Sequence, residues 1–404
     1  MAARGREGRM AAILAEAGIT LNGDRPWDIR INNPALARRV ARHGLVGLGD
    51  AYVDGWWDCE ALDQFFERAF RADLPSRLWL NPSVVGAWLY ETLFNEQSIR
   101  NAPGRIRAHY DMGNDIFEAT LDPLLQYTCA LWDDADTLDQ AQEAKLDLIC
   151  SKLGLRPGMT LLDIGCGWGG MARFAATRYG CSVVGVTLSN EQAQYARTFC
   201  RGLPVEVRLQ DYRHIEGRFD RITIVGMFEH VGHKNHRTFT RTIRRLLQDD
   251  GLCLLHFFAT QRSWPNLRDS EVLWIKKHIF PGMVVPSLAQ VGKALDGLLV
   301  LEDIQNIGAN YDRTLLAWRD NFHRNWPALR AKYGERLYRV WMHYLLSAAG
   351  AFRARKYQVW QLVLSPHGVP GGYRRPAARA ADAPRPPVVV TAAASRRPAH
   401  AGEL

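Results

Sequence analysis

The stretch Thr160-Leu161-Leu162-Asp163-Ile164-Gly165-Cys166-Gly167-Trp168-Gly169-Gly170 decides the reading of this chain. An apolar run ends in a turn dense with glycine, and a helical pattern over 171–179 follows. The turn is a phosphate-style loop without the lysine. Strand, glycine turn and helix N-terminus form a cradle for a nucleotide-type ligand, because backbone N–H groups and the positive end of the helix dipole converge there.

Outward from this turn the alternation is regular. Strands are expected over 161–164, 182–186, 205–209, 221–225 and 252–257, with helices over 139–153, 171–179, 190–200 and 236–247. Repeated β-α units predict an α/β fold with a mostly parallel sheet covered on both faces. Ligands of such sheets bind beyond the carboxyl ends of the strands. Residues 261–345 are aromatic-rich and helical in pattern, and are expected to form a helical lid over that edge. Residues 1–95 read as a smaller, mainly helical N-terminal domain, with helices over 35–43 and 62–71 separated by a turn-rich 44–50. In Tyr52-Val53-Asp54-Gly55-Trp56-Trp57-Asp58, core packing plus a helix cap competes with an aromatic surface meeting lipid or a partner subunit. The polar and basic 96–108, broken by Pro103-Gly104, reads as a linker. Residues 109–370 form the ligand-binding domain, and the Ala/Pro/Arg-rich 371–404 is expected to be a disordered basic tail.

Composition narrows the partners. At 404 residues the chain is long enough for two domains, and 47% hydrophobic with 23% charged residues is an ordinary globular balance. No run of about 18 nearly uninterrupted apolar residues suggests a spanning helix, and no secretory pattern is present, so the expectation is a cytoplasmic protein. The seven cysteines are scattered without a Cys-x-x-Cys pair, which supports neither a disulfide framework nor a zinc ribbon. Of the formal charge of +9, residues 373–404 contribute +4. A basic surface suits phospholipid headgroups or nucleic acid.

The glycines at 165, 167 and 169 permit a tight turn and close backbone approach. A dinucleotide site would show an acidic residue about 20 residues on. That place reads Val186-Thr187-Leu188-Ser189-Asn190-Glu191-Gln192, which argues against NAD. Asp163 at the strand end and Gln210-Asp211-Tyr212 after the third strand suit a compact, positively charged ligand with an adenine. The pattern resembles S-adenosylmethionine-dependent methyltransferases of the seven-stranded, Rossmann-like class. That resemblance implies S-adenosylmethionine as cofactor, with Asp163 near the methionyl and sulfonium end and Asp211 near the adenine amine. The contacts it implies are Tyr127, Thr128, Asp163, Gly165, Gly167, Trp168, Gly169, Thr187, Leu188, Ser189, Gln192, Gln210, Asp211 and Tyr212. Both aspartates as helix caps is the structural alternative.

More specific motifs lie outside this loop. Tyr110-Asp111-Met112-Gly113-Asn114-Asp115, Gln126-Tyr127-Thr128-Cys129 and Gly226-Met227-Phe228-Glu229-His230-Val231-Gly232 occur in a characteristic order. Tyr311-Asp312-Arg313-Thr314-Leu315-Leu316-Ala317-Trp318, Gly350-Ala351-Phe352-Arg353-Ala354-Arg355, Pro26-Trp27-Asp28-Ile29 and Asp54-Gly55-Trp56-Trp57 complete the set. Together they resemble the cyclopropane-fatty-acyl-phospholipid synthases, relatives of the mycolic acid cyclopropane synthases, over roughly residues 15–365. The resemblance implies that a methylene derived from the cofactor's methyl group is added to cis double bonds of unsaturated phospholipid acyl chains. A carbocation would be deprotonated by bound bicarbonate held by Cys129, Glu229, His256 and Tyr311, with the backbone of Phe258 in the same cradle. It also implies a homodimer in transient, peripheral contact with the inner face of the cytoplasmic membrane, and no nucleic acid partner.

Each site residue has a plainer alternative. Cys129 could be a small buried hydrophobe. Glu229 could cap the next helix, His256 could be a satisfied core histidine, and Tyr311 could simply pack. Many family members carry a second cysteine where this chain has Ala348. Because alkene methylation needs a base rather than a thiolate, that cysteine is expected to be dispensable. His230, His233 and His236 do not share one helical face, so no metal is expected. The signatures of nucleic-acid methyltransferases are absent after the fourth strand. A C-methyltransferase of another lipid or small molecule, without ring closure, is the alternative enzyme. A retired, non-catalytic methyltransferase fold is opposed by intact Asp163, Asp211 and Glu229.

Overall fold

The computed structural model describes residues 2–77, 86, 95, 97, 113–263 and 271–376. In chain order the N-terminal segment contains α1 (Ala2–Ala15), β1 (Arg30–Ile31), α2 (Leu36–Val53), β2 (Trp57–Asp58) and α3 (Leu62–Arg71). The larger part follows with α4 (Asn114–Thr120), α5 (Leu138–Lys152), β3 (Thr160–Ile164), α6 (Gly170–Tyr179), β4 (Ser182–Thr187), α7 (Asn190–Phe199), β5 (Val205–Leu209) and β6 (Phe219–Val225). It ends with α8 (His236–Leu246), β7 (Leu247–Thr260), α9 (Glu271–His278), α10 (Leu288–Leu295), β8 (Val300–Asn306), α11 (Tyr311–Arg353) and β9 (Tyr357–Ser365).

The main sheet has seven strands in the order β5-β4-β3-β6-β7-β9-β8. The pairs among β5, β4, β3, β6 and β7 are parallel, and β9 runs antiparallel to both β7 and β8. β3 is central because it is apolar on both faces, with Leu161, Leu162 and Ile164 at most 1% exposed. The chain leaves β3 toward β4 on one side and returns on the other at β6. The loops after β3 and β6 therefore diverge and open a crevice at the carboxyl edge.

The lid differs from the sequence expectation. Residues 261–345 carry α9, α10 and most of α11, but also β8, an edge strand of the sheet. β8 is half-exposed, so it lacks the continuous apolar run that marks the inner strands. α11 is itself two helices broken at Gly334, whose φ of 70° no ordinary helix residue adopts.

In the N-terminal segment the expected turn over 44–50 is instead helix. Gly44 breaks the helix with φ 56° and ψ −140°, but the chain re-enters it because Leu48 and Ala51 bury one face against the N-terminal core while Val53 packs on the opposite side. Trp57 is fully buried and its indole donates to the Leu48 carbonyl at 2.9 Å, whereas Trp56 stays half-buried beneath the Arg39 guanidinium. The packing alternative describes this pair.

The N-terminal helices dock on α11. Phe65, Phe66 and Leu62 of α3 share a core with Leu346, and burying each phenylalanine is worth roughly 2–3 kcal/mol. Arg353 joins the two parts, pairing with Asp312 at 2.8 Å and with Asp63 at 2.7 Å. Arg339 donates to the Tyr52 carbonyl at 2.6 Å and to Asp58 at 2.9 Å.

Of the linker over 96–108, only Gln97 is among the described residues, and most of the tail lies outside them. The first tail residues are not loose, contrary to expectation. Tyr373 donates to the Lys152 carbonyl at 2.9 Å, and Arg375 pairs with Asp303 at 2.5 Å. The aromatic ring and the ion pair anchor this end, which composition averaged over 371–404 conceals.

Candidate active site

Two cavities meet at the carboxyl edge of the sheet. The first encloses about 900 Å³ between the loops that follow β3, β4, β5 and β6. Tyr127, Thr128, Asp163, Gly165, Gly167, Trp168, Thr187, Leu188, Gln192, Gln210 and Tyr212, all among the expected cofactor contacts, line it. Gly169, Ser189 and Asp211 stand outside that wall. Gly169 precedes α6 in a left-handed conformation, and Ser189 caps α7 by accepting from the Gln192 N–H. Asp211 is held by the Arg213 side chain at 2.6 Å and accepts the Arg213 N–H at 2.9 Å.

The electrostatics of this cavity suit a cation. Asp163 is 2% exposed; its Oδ1 accepts from Thr223 at 3.0 Å, and its Oδ2 has no partner among the described residues. Burial pushes its carboxyl up to about 7, against the opposing pull of the Thr223 hydroxyl and the Lys145 ammonium. Such an acid becomes a favourable carboxylate when a positive ligand arrives. At the end of β4, where a ribose acid would stand in a dinucleotide site, Thr187 Oγ1 donates to Gln192 Oε1 at 2.8 Å. Trp168 fixes the glycine turn by donating to Asn114 Oδ1 at 2.8 Å.

The second cavity, about 1170 Å³ counting the space open to solvent, is mostly apolar. Phe280, Leu315, Phe352 and Val359 are among its walls, and the N-terminal segment adds Leu45, Phe66 and Phe70. Cys129, Glu229, His256, Phe258 and Tyr311 all line it, so the geometry gathers five positions spread over 183 residues of sequence. Ala348 is part of the same wall.

The two cavities share Tyr127, Thr128, Gly226 and His230. Gly226 is required there: its φ is +68°, and a Cβ would lie 2.5 Å from Thr128 Cγ2. Its N–H donates to the His256 carbonyl at 2.9 Å, which ties the shared wall to the polar cluster.

Within that cluster Glu229 is buried. Its Oε1 accepts the Phe258 N–H at 2.8 Å, while Oε2 is unpartnered among the described residues. Desolvation pushes its carboxyl up to about 7, against the Phe258 hydrogen bond. His256 is held neutral, its pKa driven well below the usual value by burial and then by Lys145 and Lys152. Burial likewise raises the Cys129 thiol above its ordinary range, and Sγ lies within reach of the Ala130 carbonyl at 3.4 Å and the Ile307 carbonyl at 3.7 Å. A thiol so held is no nucleophile. Ala130 N–H to Thr314 Oγ1 at 3.2 Å and Trp132 N–H to Asn310 Oδ1 at 2.9 Å bind the cysteine loop to the start of α11, where Tyr311 sits. Tyr311 packs against Phe352, ring centroids 4.6 Å apart.

His230 and His233 lie on two separate short turns and His236 opens α8, where it stacks on Phe228 at 4.5 Å. Among the described residues no group of three metal-ligating side chains occurs.

Sequence reasoning passed over His230 as a wall residue and missed Lys145. Lys145 is fully buried and donates to Gln126 Oε1 at 2.6 Å and Thr128 Oγ1 at 2.9 Å, bracing the loop that separates the cavities. Burial lowers its pKa to about 8. A lysine in an amphipathic helix pattern reads as a solvent-facing charge, so the sequence carries no signal for this brace.

Comparison with known proteins finds relatives along most of the chain. Residues 97–362 match the mycolic acid cyclopropane synthetase family. The chain is 47% identical over 366 residues to the cyclopropane-fatty-acyl-phospholipid synthase of Escherichia coli (strain K12), covering 90% of this chain and 94% of that one. It is 35% identical to a probable fatty acid methyltransferase of Pseudomonas putida, covering 80% and 83%. The mycolic acid cyclopropane synthase CmaA1, solved in complex with SAH and CTAB, superposes with a TM-score of 0.61 at 34% identity, covering 65% of this chain and 97% of that one. The sheet, the glycine turn and the unpartnered Oδ2 of Asp163 fit the S-adenosylmethionine that such enzymes use. The chain belongs to the cyclopropane synthase family, as an S-adenosylmethionine-dependent methyltransferase of the cyclopropane-fatty-acyl-phospholipid synthase type.

Proposed function

We propose that the apolar cavity takes a cis-unsaturated acyl chain of a membrane phospholipid, and that a methylene is added across its double bond to form a cyclopropane. The observation that carries this reading is the junction: an apolar cavity of about 1170 Å³ meets the cofactor cavity at Tyr127, Thr128, Gly226 and His230, with Glu229 and His256 beside that wall. Bound S-adenosylmethionine supplies an electrophilic methyl group on a sulfonium sulfur.

The chain's own residues supply the rest. Asp163 offers a carboxylate to the positive ligand. Tyr127, Phe280, Tyr311 and Phe352 exclude water and turn aromatic faces toward positive charge developing on the acyl chain. A proton must leave as the ring closes, which calls for a base rather than a nucleophile.

Bicarbonate fits the polar cluster as that base. With its carboxyl at about 7, Glu229 is partly protonated at neutral pH, and Oε2–H then donates to an anion instead of repelling it. Neutral His256, the Tyr311 hydroxyl and the Cys129 thiol complete the cradle. The Phe258 N–H is committed to Glu229 Oε1, so it acts by orienting that carboxyl.

The protein would meet its substrate as a homodimer in transient peripheral contact with the inner face of the cytoplasmic membrane. A formal charge of +9 suits anionic headgroups, and among the described residues no helix is long and apolar enough to cross a membrane. The test is incubation with methyl-labelled S-adenosylmethionine and phospholipid vesicles. Label is expected in the acyl chains of cis-unsaturated vesicles and not in fully saturated ones. Label in the headgroup fraction, or none in lipid, overturns the reading.

A further inference from the structure

Behind His256 the core holds a hydrogen-bonded chain that the chemistry above does not use. β9 runs antiparallel beside β7 and places Gln361 directly opposite His256. The Gln361 amide nitrogen lies 3.2 Å from His256 Nδ1, and its carbonyl oxygen accepts from Lys152 Nζ at 2.9 Å. Lys152, Gln361 and His256 are 1%, 0% and 2% exposed, so water does not compete for these bonds.

The order of donors follows from the lysine. An ammonium has three donors and no acceptor, so it faces the oxygen of the amide. That turns the Gln361 NH₂ toward His256. Because NH₂ donates, Nδ1 must be the bare nitrogen of the ring. A neutral imidazole carries one proton, which then sits on Nε2.

We propose that Lys152 and Gln361 are positioning residues that hold His256 in its Nε2–H tautomer, so that it presents a donor and not a base to the acyl cavity. The assignment of His256 to the reacting end rests on the function proposed above. In this tautomer His256 steadies an anion, and the proton lost on ring closure goes to another group.

The surroundings keep Lys152 in place. Its Nζ is 3.8 Å from Asp303, which is also held by Arg375, and its carbonyl accepts from Tyr373. Lys152 is seven residues after Lys145 on α5, two turns along the same face. Lys145 treats Gln126 as Lys152 treats Gln361, donating to the amide oxygen. One helix face therefore orients two glutamines, one behind the loop between the cavities and one behind His256.

The full-length protein labelled with ¹⁵N-histidine tests this by long-range ¹H–¹⁵N spectra, with His256 assigned by its loss in His256→Gln. The wild type is expected to show a protonated Nε2 and a bare Nδ1. Gln361→Glu, nearly isosteric, replaces the donor with an acceptor. It should move the proton to Nδ1 and lower kcat about 10- to 100-fold while leaving affinity for S-adenosylhomocysteine unchanged. A wild-type ring protonated on Nδ1 overturns the proposal without any variant having to fold. So does a Gln361→Glu protein that keeps either the Nε2 proton or full turnover. Because the tautomer is read without substrate, a failed lipid assay would strike the proposed reaction and leave this result standing.

Discussion

The two cavities share a wall but are built on different principles. The cofactor cavity is made by consecutive loops at one sheet edge, with Gly165 and Gly167 in its lining. The acyl cavity is made by side chains from the cysteine loop, the ends of β6 and β7, α9, α11 and the N-terminal helices. The first is fixed by sheet topology, whereas the second exists only once distant segments have packed. A substitution on the cofactor side should therefore act on binding, and one on the acyl side on turnover.

The largest expected effect is on the acyl side. Glu229→Leu removes both the acceptor for the Phe258 N–H and the donor offered to the anion, and should lower kcat roughly 10²- to 10⁴-fold. Affinity for S-adenosylhomocysteine, measured by calorimetry, should stay within about twofold. Equal loss of binding and turnover would erase the distinction between the cavities.

Asp163→Asn probes the other side and should give a smaller effect of opposite character. In the ligand-free protein Asp163 has a folded pKa raised to about 7, with Lys145 and Thr223 facing it. Between the ordinary carboxylate pKa of about 4 and about 7, the folded state binds more protons than the unfolded one, so this group costs stability as pH rises. The variant should melt several degrees higher than the wild type at pH 8, with the gain shrinking toward pH 4. It should also bind S-adenosylmethionine more weakly at pH 8. A melting difference that does not vary with pH would show that Asp163 is ionised in the free protein.

The same contrast explains what the sequence made legible. The inner strands and the glycine turn were readable because a buried parallel strand must be apolar and a tight turn must be glycine. β8 was not, because an edge strand with half-exposed residues has no such pattern. The helical second half of α2 was missed since its glycines, which signal turns locally, are here packed inside a helix. Cys129, Glu229, His256 and Tyr311 carry no local signal at all and were reachable through family motifs. Lys145, Lys152 and Gln361 were invisible even so, because their meaning lies in a register between α5, β7 and β9 that forms after folding.

The central claim is that the acyl cavity closes a ring rather than merely adding a methyl group. It is tested most directly with S-adenosylmethionine bearing a trideuterated methyl group, cis-unsaturated vesicles and mass analysis of the released acyl chains. The account predicts an added carbon with two of the three deuteriums, no remaining double bond at the modified position, and release of the third to solvent. A product that keeps all three deuteriums, or that retains an alkene, would contradict it.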